Sequence, residues 1–179
     1  MSKHSVAMSA AAVAIAGVVG FAQSGAAKAT ATIKGDGISG TATLTERKQG
    51  TGTVVELTVT AKGLKPGLHG VHLHAVGRCE PDFTAAGGHF DPGPASNTDP
   101  DANHPFHMGD VPNLDGGADG SGTMKVVTTR VTLSEGPLSI FDSDGTAIII
   151  HSNPDKGVTG PPKSGVSGGP RAACGVFQK

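Results

Sequence analysis

The chain is organised around the stretch LHGVHLH, residues 68–74, in which His72 and His74 stand two positions apart. Successive side chains of a β-strand point to opposite faces, so a strand here would place both imidazoles on one face. Such a pair can bind a single metal ion, because borderline divalent metals favour imidazole nitrogens. His69 lies an odd number of positions from both, which predicts the opposite face and a structural role for its side chain.

Further candidate ligands follow this stretch, and seven of the eight histidines fall between positions 69 and 151. His151 ends an apolar run, so it can join the histidine pair from a second strand. His104, His107 and Asp110 are spaced three residues apart in a segment without periodicity, and they form a second set. His89 lies between the two sets in sequence. Its ring has two nitrogens, so a deprotonated His89 could serve both sets.

Alternation of apolar and polar residues predicts an all-β fold. Val55, Leu57 and Val59 alternate with polar residues, the pattern of a half-buried strand. Gly (28) and Pro (12) are abundant and Trp and Tyr are absent, a composition that favours short strands and turns. Strands are predicted at residues 30–34, 39–46, 53–60, 68–76, 124–133, 147–151 and 172–177, and no helix is predicted among them. Short strands joined by turns predict one domain, a β-sandwich or barrel.

Two long loops separate the predicted strands, at residues 77–113 and 153–170. The first is rich in Pro, Gly, Asp and Asn and shows almost no periodicity. Loops of this length are uncommon in compact domains unless something else orders them. A disulfide at Cys79 and a metal ion bound in the middle of the loop would supply that order.

The chain has two cysteines, Cys79 and Cys174. In an exported protein such a pair is expected to form one disulfide, which here would tie the first long loop to the C-terminal segment. The chain-entropy model gives a bridge across a loop this long about 4 to 5 kcal/mol of stabilisation. Two free or metal-bound thiols are the competing interpretation.

The N-terminal segment has the three-part plan of a secretory signal peptide. A polar start with one clear positive charge precedes an apolar run at residues 6–21, and AKA at residues 27–29 supplies a cleavage site after Ala29. A transmembrane anchor or a buried helix is the alternative, although the run is short and rich in Ala and Gly. The predicted organisation is a signal peptide at residues 1–29 and one domain at residues 30–179, secreted or periplasmic and without stable membrane insertion.

The charge balance argues against one class of partner. Lys and Arg number 14 against 15 Asp and Glu, and removal of Lys3 and Lys28 with the signal peptide leaves 12 against 15, a formal charge of −3. No basic stripe is dense enough to neutralise a run of phosphates. Nucleic acid is therefore not an expected partner.

Taken together, the motifs resemble those of copper/zinc superoxide dismutases of the bacterial secreted type. The matching segments are GLHGVHLH (67–74) with Gly77 and Cys79, AGGHFDP (86–92), HMGDVPN (107–113), DGTAIIIH (144–151) and GGPRAACGV (168–176). The resemblance extends over residues 31–177 in the order that the family shows. It implies an eight-stranded Greek-key β-sandwich or barrel whose two long loops form the metal site.

The resemblance also implies a role for each candidate ligand. Copper would be bound by four histidines: His72, His74, His89 and His151. His89 would bridge to zinc, which His107 and Asp110 would also bind. Many family members have another zinc histidine about eight residues after the bridging one, where this chain has Asn97. His104 is predicted to take that role, because tetrahedral zinc otherwise lacks a fourth protein ligand.

Three further features carry over from the family. Asp155 matches a carboxylate that hydrogen-bonds ligand histidines of both metals and fixes their orientation. Arg171 matches the arginine that attracts and orients the anion beside copper, and with His89 it is the expected catalytic pair. Cys79 and Cys174 match the family's disulfide.

The implied function is superoxide dismutase, which converts superoxide to O2 and hydrogen peroxide by redox cycling of copper and protects the cell envelope from oxidative damage. The superoxide anion would be the substrate, zinc the second cofactor, and a homodimer is compatible with the sequence. Two alternatives stay open: a copper-only dismutase lacking zinc, and a non-catalytic copper- and zinc-binding envelope protein that stores or delivers metal. Arg171 argues against storage, since a stored metal needs no guide for anions.

Overall fold

The computed structural model describes Met1, residues 26–93 and residues 96–179. The described residues form nine strands and one short 3-10 helix, Phe83–Ala86. The strands are β1 (Ala27–Gly35), β2 (Ser39–Gln49), β3 (Gly52–Lys62), β4 (Gly67–His69), β5 (Val71–His74), β6 (Leu114–Gly116), β7 (Gly122–Thr128), β8 (Ala147–His151) and β9 (Arg171–Val176). The predicted all-β class is confirmed. Within the described residues, no helix has the length and apolar character that a membrane span requires.

Seven strands form a curled antiparallel sheet in the order β5-β8-β9-β1-β2-β3-β7, and β4 pairs with β6 in a second sheet. β1, β2 and β3 are consecutive neighbours, as in a meander. The last strand, β9, inserts between β1 and β8. This topology puts β5 and β8, the two strands that carry candidate ligands, side by side at one edge of the large sheet.

The predicted histidine strand at residues 68–76 is divided in two, and nine strands replace the expected eight. The chain passes from one sheet to the other at Gly70, because β4 pairs with β6 whereas β5 pairs with β8. A Cβ at Gly70 would lie 3.3 Å from both Cε1 of His72 and Cβ of Asp155, so this position favours a residue without a side chain. β6 falls in no predicted strand, since three residues are too few to show a period.

Two smaller predictions are wrong. The predicted strand at residues 124–133 ends at Thr128, and the backbone N–H of Leu133 donates to the carboxylate of Glu46, 2.6 Å away, instead of to a strand. The 3-10 helix Phe83–Ala86 occupies a loop in which the sequence predicts no helix.

Apolar side chains fill the concave side of the curled sheet. Val55, Leu57 and Val59 of β3 are fully buried, which confirms the predicted period of two. β8 is buried along its whole length, because Ile148 and Ile150 face the main core while Ile149 packs in a second cluster that includes Cys174. A strand covered on both faces reads as a continuous apolar run, and this one ends at His151.

The predicted disulfide between Cys79 and Cys174 is confirmed. The bond joins residues 95 positions apart, with their Cα atoms 5.9 Å from each other. It anchors the start of the first long loop to β9, close to the point where β9 pairs with β8.

Most of the predicted signal peptide, residues 2–25, lies outside the described residues. Its last three residues, Ala27–Ala29, belong to β1 and pair with residues 44–46 of β2. Ala29 is buried in the core at 1% exposure.

Candidate metal centre

The pairing of β5 with β8 brings three candidate ligands to one end of the sheet. His72 and His74 are on β5, and His151 follows Ile150 at a register shift where β8 meets β9. All three side chains are buried, at 0 to 2% exposure. The first long loop adds His89, which forms an isolated β-bridge with His74 and is also fully buried.

These four histidines, His72, His74, His89 and His151, form one group in which each offers a ligand atom within 4.8 Å of the others. Each has one buried ring nitrogen without a hydrogen-bond partner among the described residues: Nδ1 of His72, and Nε2 of His74, His89 and His151. An unpaired buried polar atom costs about 1–3 kcal/mol, so four of them directed to one point indicate a binding site. A set of imidazole nitrogens suits copper.

The opposite ring nitrogen of each histidine in this group is held by the protein. Nε2 of His72 donates to Asp155 Oδ2 at 3.0 Å, Nδ1 of His74 to the Gly87 carbonyl at 3.0 Å, and Nδ1 of His151 to the Gly169 carbonyl at 2.9 Å. Nδ1 of His89 lies 2.7 Å from Asp110 Oδ1. Such partners fix the ring orientation and the tautomer, and they leave the unpaired nitrogen free to bind a metal.

A second group is centred on the carboxylate of Asp110. Nδ1 of His107 lies 2.9 Å from Oδ2, and Nδ1 of His104 lies 3.2 Å from the same oxygen. Together with Nδ1 of His89, three imidazole nitrogens therefore surround one carboxylate, a donor set that suits zinc. The residues with ligand atoms within 4.8 Å of one another on this side are His72, His89, His104 and Asp110, and His107 lies against the carboxylate from outside that group.

Asp155 connects the two groups from the second long loop. Its Oδ2 accepts from His72 and its Oδ1 accepts from Nε2 of His104 at 2.7 Å. His104 is fully buried, whereas Asn97 uses its side-chain oxygen in a local turn, accepting the backbone N–H of Asp99 at 3.3 Å. The structure thus puts His104, and not Asn97, between the two carboxylates.

The protonation of these side chains follows their surroundings. Burial and the neighbouring His72 lower the pKa of His89 and of His151 to about 3, and burial puts the pKa of His74 well below its usual value. Burial would also lower the pKa of His104, but the adjacent carboxylates of Asp110, 3.2 Å from Nδ1, and of Asp155, which accepts from Nε2, raise it to about 9. The first three rings are therefore neutral at pH 7, and His104 carries a proton when no metal is bound.

Arg171 is the first residue of β9, and its guanidinium lies beside the first group, the four histidines that suit copper. One guanidinium nitrogen donates to the Phe83 carbonyl and the other to the Gly87 carbonyl, which also accepts from His74. Partial burial lowers the pKa of Arg171, opposed by the nearby Asp82, and an arginine remains charged at neutral pH. Arg171 and His151 line the same surface opening, so the charge is accessible from outside.

Two polar residues beside the candidate ligands, His69 and Asn113, hydrogen-bond the backbone, and only the role of His69 is predicted by the sequence. Both ring nitrogens of His69 lie near backbone carbonyls, of His151 at 2.7 Å and of Lys65 at 2.9 Å, in agreement with the predicted structural role. Asn113 belongs to the motif HMGDVPN, whose sequence gives no role to this residue, yet its side-chain amide both donates to and accepts from the backbone of Asp155, at 2.9 and 2.8 Å. These contacts depend on how the two loops meet, which sequence spacing alone does not reveal.

An antiparallel β fold with two adjoining groups of buried ligands, which share His72 and His89, defines a class of metal-binding β protein. The family model described as copper/zinc superoxide dismutase (SODC) matches residues 38–177. The chain belongs to the copper/zinc superoxide dismutase family, and the two groups fit that family's two metals, copper and zinc.

Relatives with curated names support this assignment. The superoxide dismutase [Cu-Zn] of Deinococcus radiodurans is 41% identical over 133 residues, 68% of this chain and 69% of that protein. The superoxide dismutase [Cu-Zn] of Caulobacter vibrioides is 39% identical over 133 residues, 69% of this chain and 71% of that protein. The superoxide dismutase-like protein YojM of Bacillus subtilis is 39% identical over 128 residues, 69% of this chain and 62% of that protein.

Solved structures show the same fold. A double mutant of a SOD-like protein from Bacillus subtilis superimposes with a TM-score of 0.62 and 32% identity, over 82% of this chain and 95% of that one. The clock protein EA4 superimposes with a TM-score of 0.68 and 24% identity, over 89% of this chain and 98% of that one, and at this identity the likeness concerns the fold alone.

Proposed function

We propose that the protein is a superoxide dismutase that uses copper and zinc to convert two superoxide anions and two protons into O2 and hydrogen peroxide. The observation that carries the proposal is the convergence of four unpaired, buried imidazole nitrogens beside the guanidinium of Arg171. The nitrogens suit a redox metal, and the positive charge suits a small anionic substrate.

The proposed copper ligands are His72, His74, His89 and His151, and the proposed zinc ligands are His89, His104, His107 and Asp110. Copper, when bound, supplies the one-electron oxidation and reduction that the two halves of the reaction need. Asp155 orients His72 for the first set and His104 for the second, because its two oxygens each accept from one ring.

His89 is the proposed proton carrier. Its Nδ1 faces Asp110 on the zinc side, whereas its Nε2 faces the copper side and can hold a proton there. Arg171 attracts the anion and orients it, and its bonds to two backbone carbonyls keep the guanidinium in place. The chain as a whole is net acidic, so the attraction has to be local, and Arg171 lines its opening together with Lys163.

Superoxide consumption by the purified protein, loaded with copper and zinc and kept in excess EDTA, tests the proposal. EDTA removes the contribution of free copper, so activity that persists belongs to the protein. We expect rapid consumption that disappears in a His74→Ala variant, which lacks one copper nitrogen. An activity no greater than that of the EDTA–copper complex would contradict the proposal.

A second candidate is a metal-binding protein without turnover. It is considered because one relative, YojM, is named only as superoxide dismutase-like. Stoichiometric copper and zinc without superoxide consumption would favour it.

We also propose export to the periplasm or the medium, with protection of the cell envelope as the role. Support comes from the apolar N-terminal run in the sequence and from the disulfide, since disulfides persist in oxidising compartments.

A further inference from the structure

Asp101 is a buried carboxylate that the proposed reaction does not use. It is 3% exposed and lies in the first long loop, three residues before His104. Its Oδ1 accepts the backbone N–H and the hydroxyl of Ser167, at 3.1 and 2.8 Å, and its Oδ2 accepts the N–H of Gly165 at 2.8 Å. All three donors belong to the second long loop, so one side chain fastens the two loops together.

On the zinc side, residues 159–160 of the second long loop hydrogen-bond the backbone of the segment that carries His104. The backbone carbonyl of Asp101 accepts the N–H of Gly160 at 2.9 Å, and the hydroxyl of Thr159 donates to the carbonyl of His104 at 2.6 Å. His104 follows His89 by fifteen residues, and the described residues between them form no strand, so these contacts substitute for regular structure in fixing its ring.

On the copper side, the donors to Asp101 lead directly to a partner of His151. The carbonyl of Gly169 accepts from Nδ1 of His151 at 2.9 Å. Gly168 packs so closely that a Cβ there would lie 2.7 Å from Cβ of His151. Ser167 directly precedes these two glycines in the chain. The position of Ser167 therefore helps to set the position of the Gly169 carbonyl, which orients His151.

We propose that Asp101 is a positioning residue that links His104 on the zinc side to His151 on the copper side through residues 165–169. The inference rests on the proposed metal-binding roles of these two histidines. It adds a connection between the sites that does not pass through the side chains of His89 and Asp155, although Ser167 also pairs with the backbone of Asp155. Its carboxylate suits the task, because hydrogen bonds to a charged acceptor are stronger than those between neutral groups.

The test compares Asp101→Asn with the parent protein. An amide keeps the volume of the side chain, but its nitrogen cannot accept a hydrogen bond. The hydrogen bonds of one of the two carboxylate oxygens, to Gly165 or to Ser167, are therefore lost. We expect the dissociation constant for zinc to rise about tenfold, the lower end of the range for groups that hydrogen-bond a metal ligand directly, because Asp101 acts through the backbone. The saturated Co(II) derivative of the zinc site should show an altered visible spectrum, and Cu(II) in the copper site an altered EPR spectrum.

Asp119→Asn is the matched control. Asp119 accepts the N–H and the hydroxyl of Ser121, at 2.9 and 2.7 Å, in the exposed turn between β6 and β7. This pair reproduces the carboxylate–serine contact far from the metal groups, so its loss should leave the zinc affinity and both spectra unchanged.

Ser167→Ala provides a milder change, since it removes only the hydroxyl that Asp101 accepts, and it decides the matter if Asp101→Asn does not fold. A severalfold weaker zinc affinity in Ser167→Ala supports the inference. Parent-like affinity and spectra in the folded variants, or equal losses in Asp119→Asn, overturn it while leaving the proposed function intact. A parent protein that binds neither metal overturns both.

Discussion

At the level of single residues, His104 differs from the other buried histidines of the site. It lies between two carboxylates, which raise its pKa to about 9, whereas burial and neighbouring rings lower the pKa of His89 and of His151 to about 3. In the metal-free protein the zinc side is therefore arranged around the cation of His104, whereas the rings of His74, His89 and His151 are neutral. A zinc ion would replace the proton on Nδ1 of His104, beside Asp110, while Nε2 would keep its proton and donate to Asp155.

Zinc binding should consequently release a proton at neutral pH. Zinc binds neutral imidazole, and His104 holds a proton below about pH 9, so the affinity should rise about tenfold per pH unit from pH 7 and level off above pH 9. Calorimetry of the metal-free protein in buffers of different ionisation enthalpy measures the number of protons released. A His104→Ala variant should bind zinc more weakly, and its zinc binding should no longer release this proton. Equal proton release with and without His104 would contradict the assignment.

The guanidinium of Arg171 makes a second prediction at this scale. Arg171→Ala should lower the second-order rate constant for superoxide by about tenfold or more, because focused positive charge speeds the encounter with an anion. The dependence of that rate on ionic strength should also flatten. Stopped-flow measurement over a salt series checks both. Arg47→Ala, at the exposed end of β2, is the control and should behave as the parent. A salt dependence that survives in Arg171→Ala would contradict the proposed guide role.

At the level of elements, the division between β4 and β5 determines the position of His72. Gly70 stands between the two strands; its carbonyl accepts the N–H of His151 at 2.8 Å and its N–H donates to the carbonyl of Asn153 at 2.9 Å. The glycine thus joins the histidine strand to the end of β8 and to the second long loop. The space that its missing side chain would take is occupied by His72 and Asp155.

Gly70→Ala should therefore destabilise the protein. The added methyl group would lie 3.2–3.3 Å from three neighbouring atoms, and overpacking of this kind costs about 1–3 kcal/mol. Urea unfolding of the disulfide-intact, metal-free protein measures the loss. Gly52→Ala at the start of β3 is the control, since the Cβ there would meet a single atom at 3.6 Å. Equal midpoints for the two variants would contradict the packing argument.

The elements also separate what the sequence can predict from what it cannot. β3 and β8 are recognisable because a period of two and a continuous apolar run are local signals. β4 and β6 are too short to show a period, and their pairing is a long-range event. The candidate ligands could be named from their spacing and the family resemblance. Asp101 could not, because its donors Gly165 and Ser167 lie more than sixty positions away.

At the level of the whole molecule, both ends of the described domain meet in the large sheet. β9 lies beside β1, and Thr30 exchanges backbone hydrogen bonds with Gln178 at 2.8 and 2.9 Å. The disulfide connects β9 to the first long loop at the same place. The N-terminal strand is thus part of the structure that supports Arg171 and Cys174.

This arrangement bears on where the proposed signal peptide would be removed. Cleavage after Ala29 would delete three residues of β1 that pair with β2, whereas Ser24 and Ala26 are small residues that suit cleavage after Ala26. If the proposed export takes place, we expect the mature protein to begin at Ala27, as measured by its intact mass. A mass that corresponds to Thr30 at the N-terminus would contradict this.

Asp155 has a thermodynamic consequence for how tightly the two metals are retained. Its two oxygens orient one imidazole in each group, so a metal that fixes either ring also restrains the other through the shared carboxylate. Linkage between two binding equilibria is reciprocal. If zinc tightens the binding of copper by some factor, copper must tighten the binding of zinc by the same factor, and scarcity of either metal in the surroundings weakens retention of both.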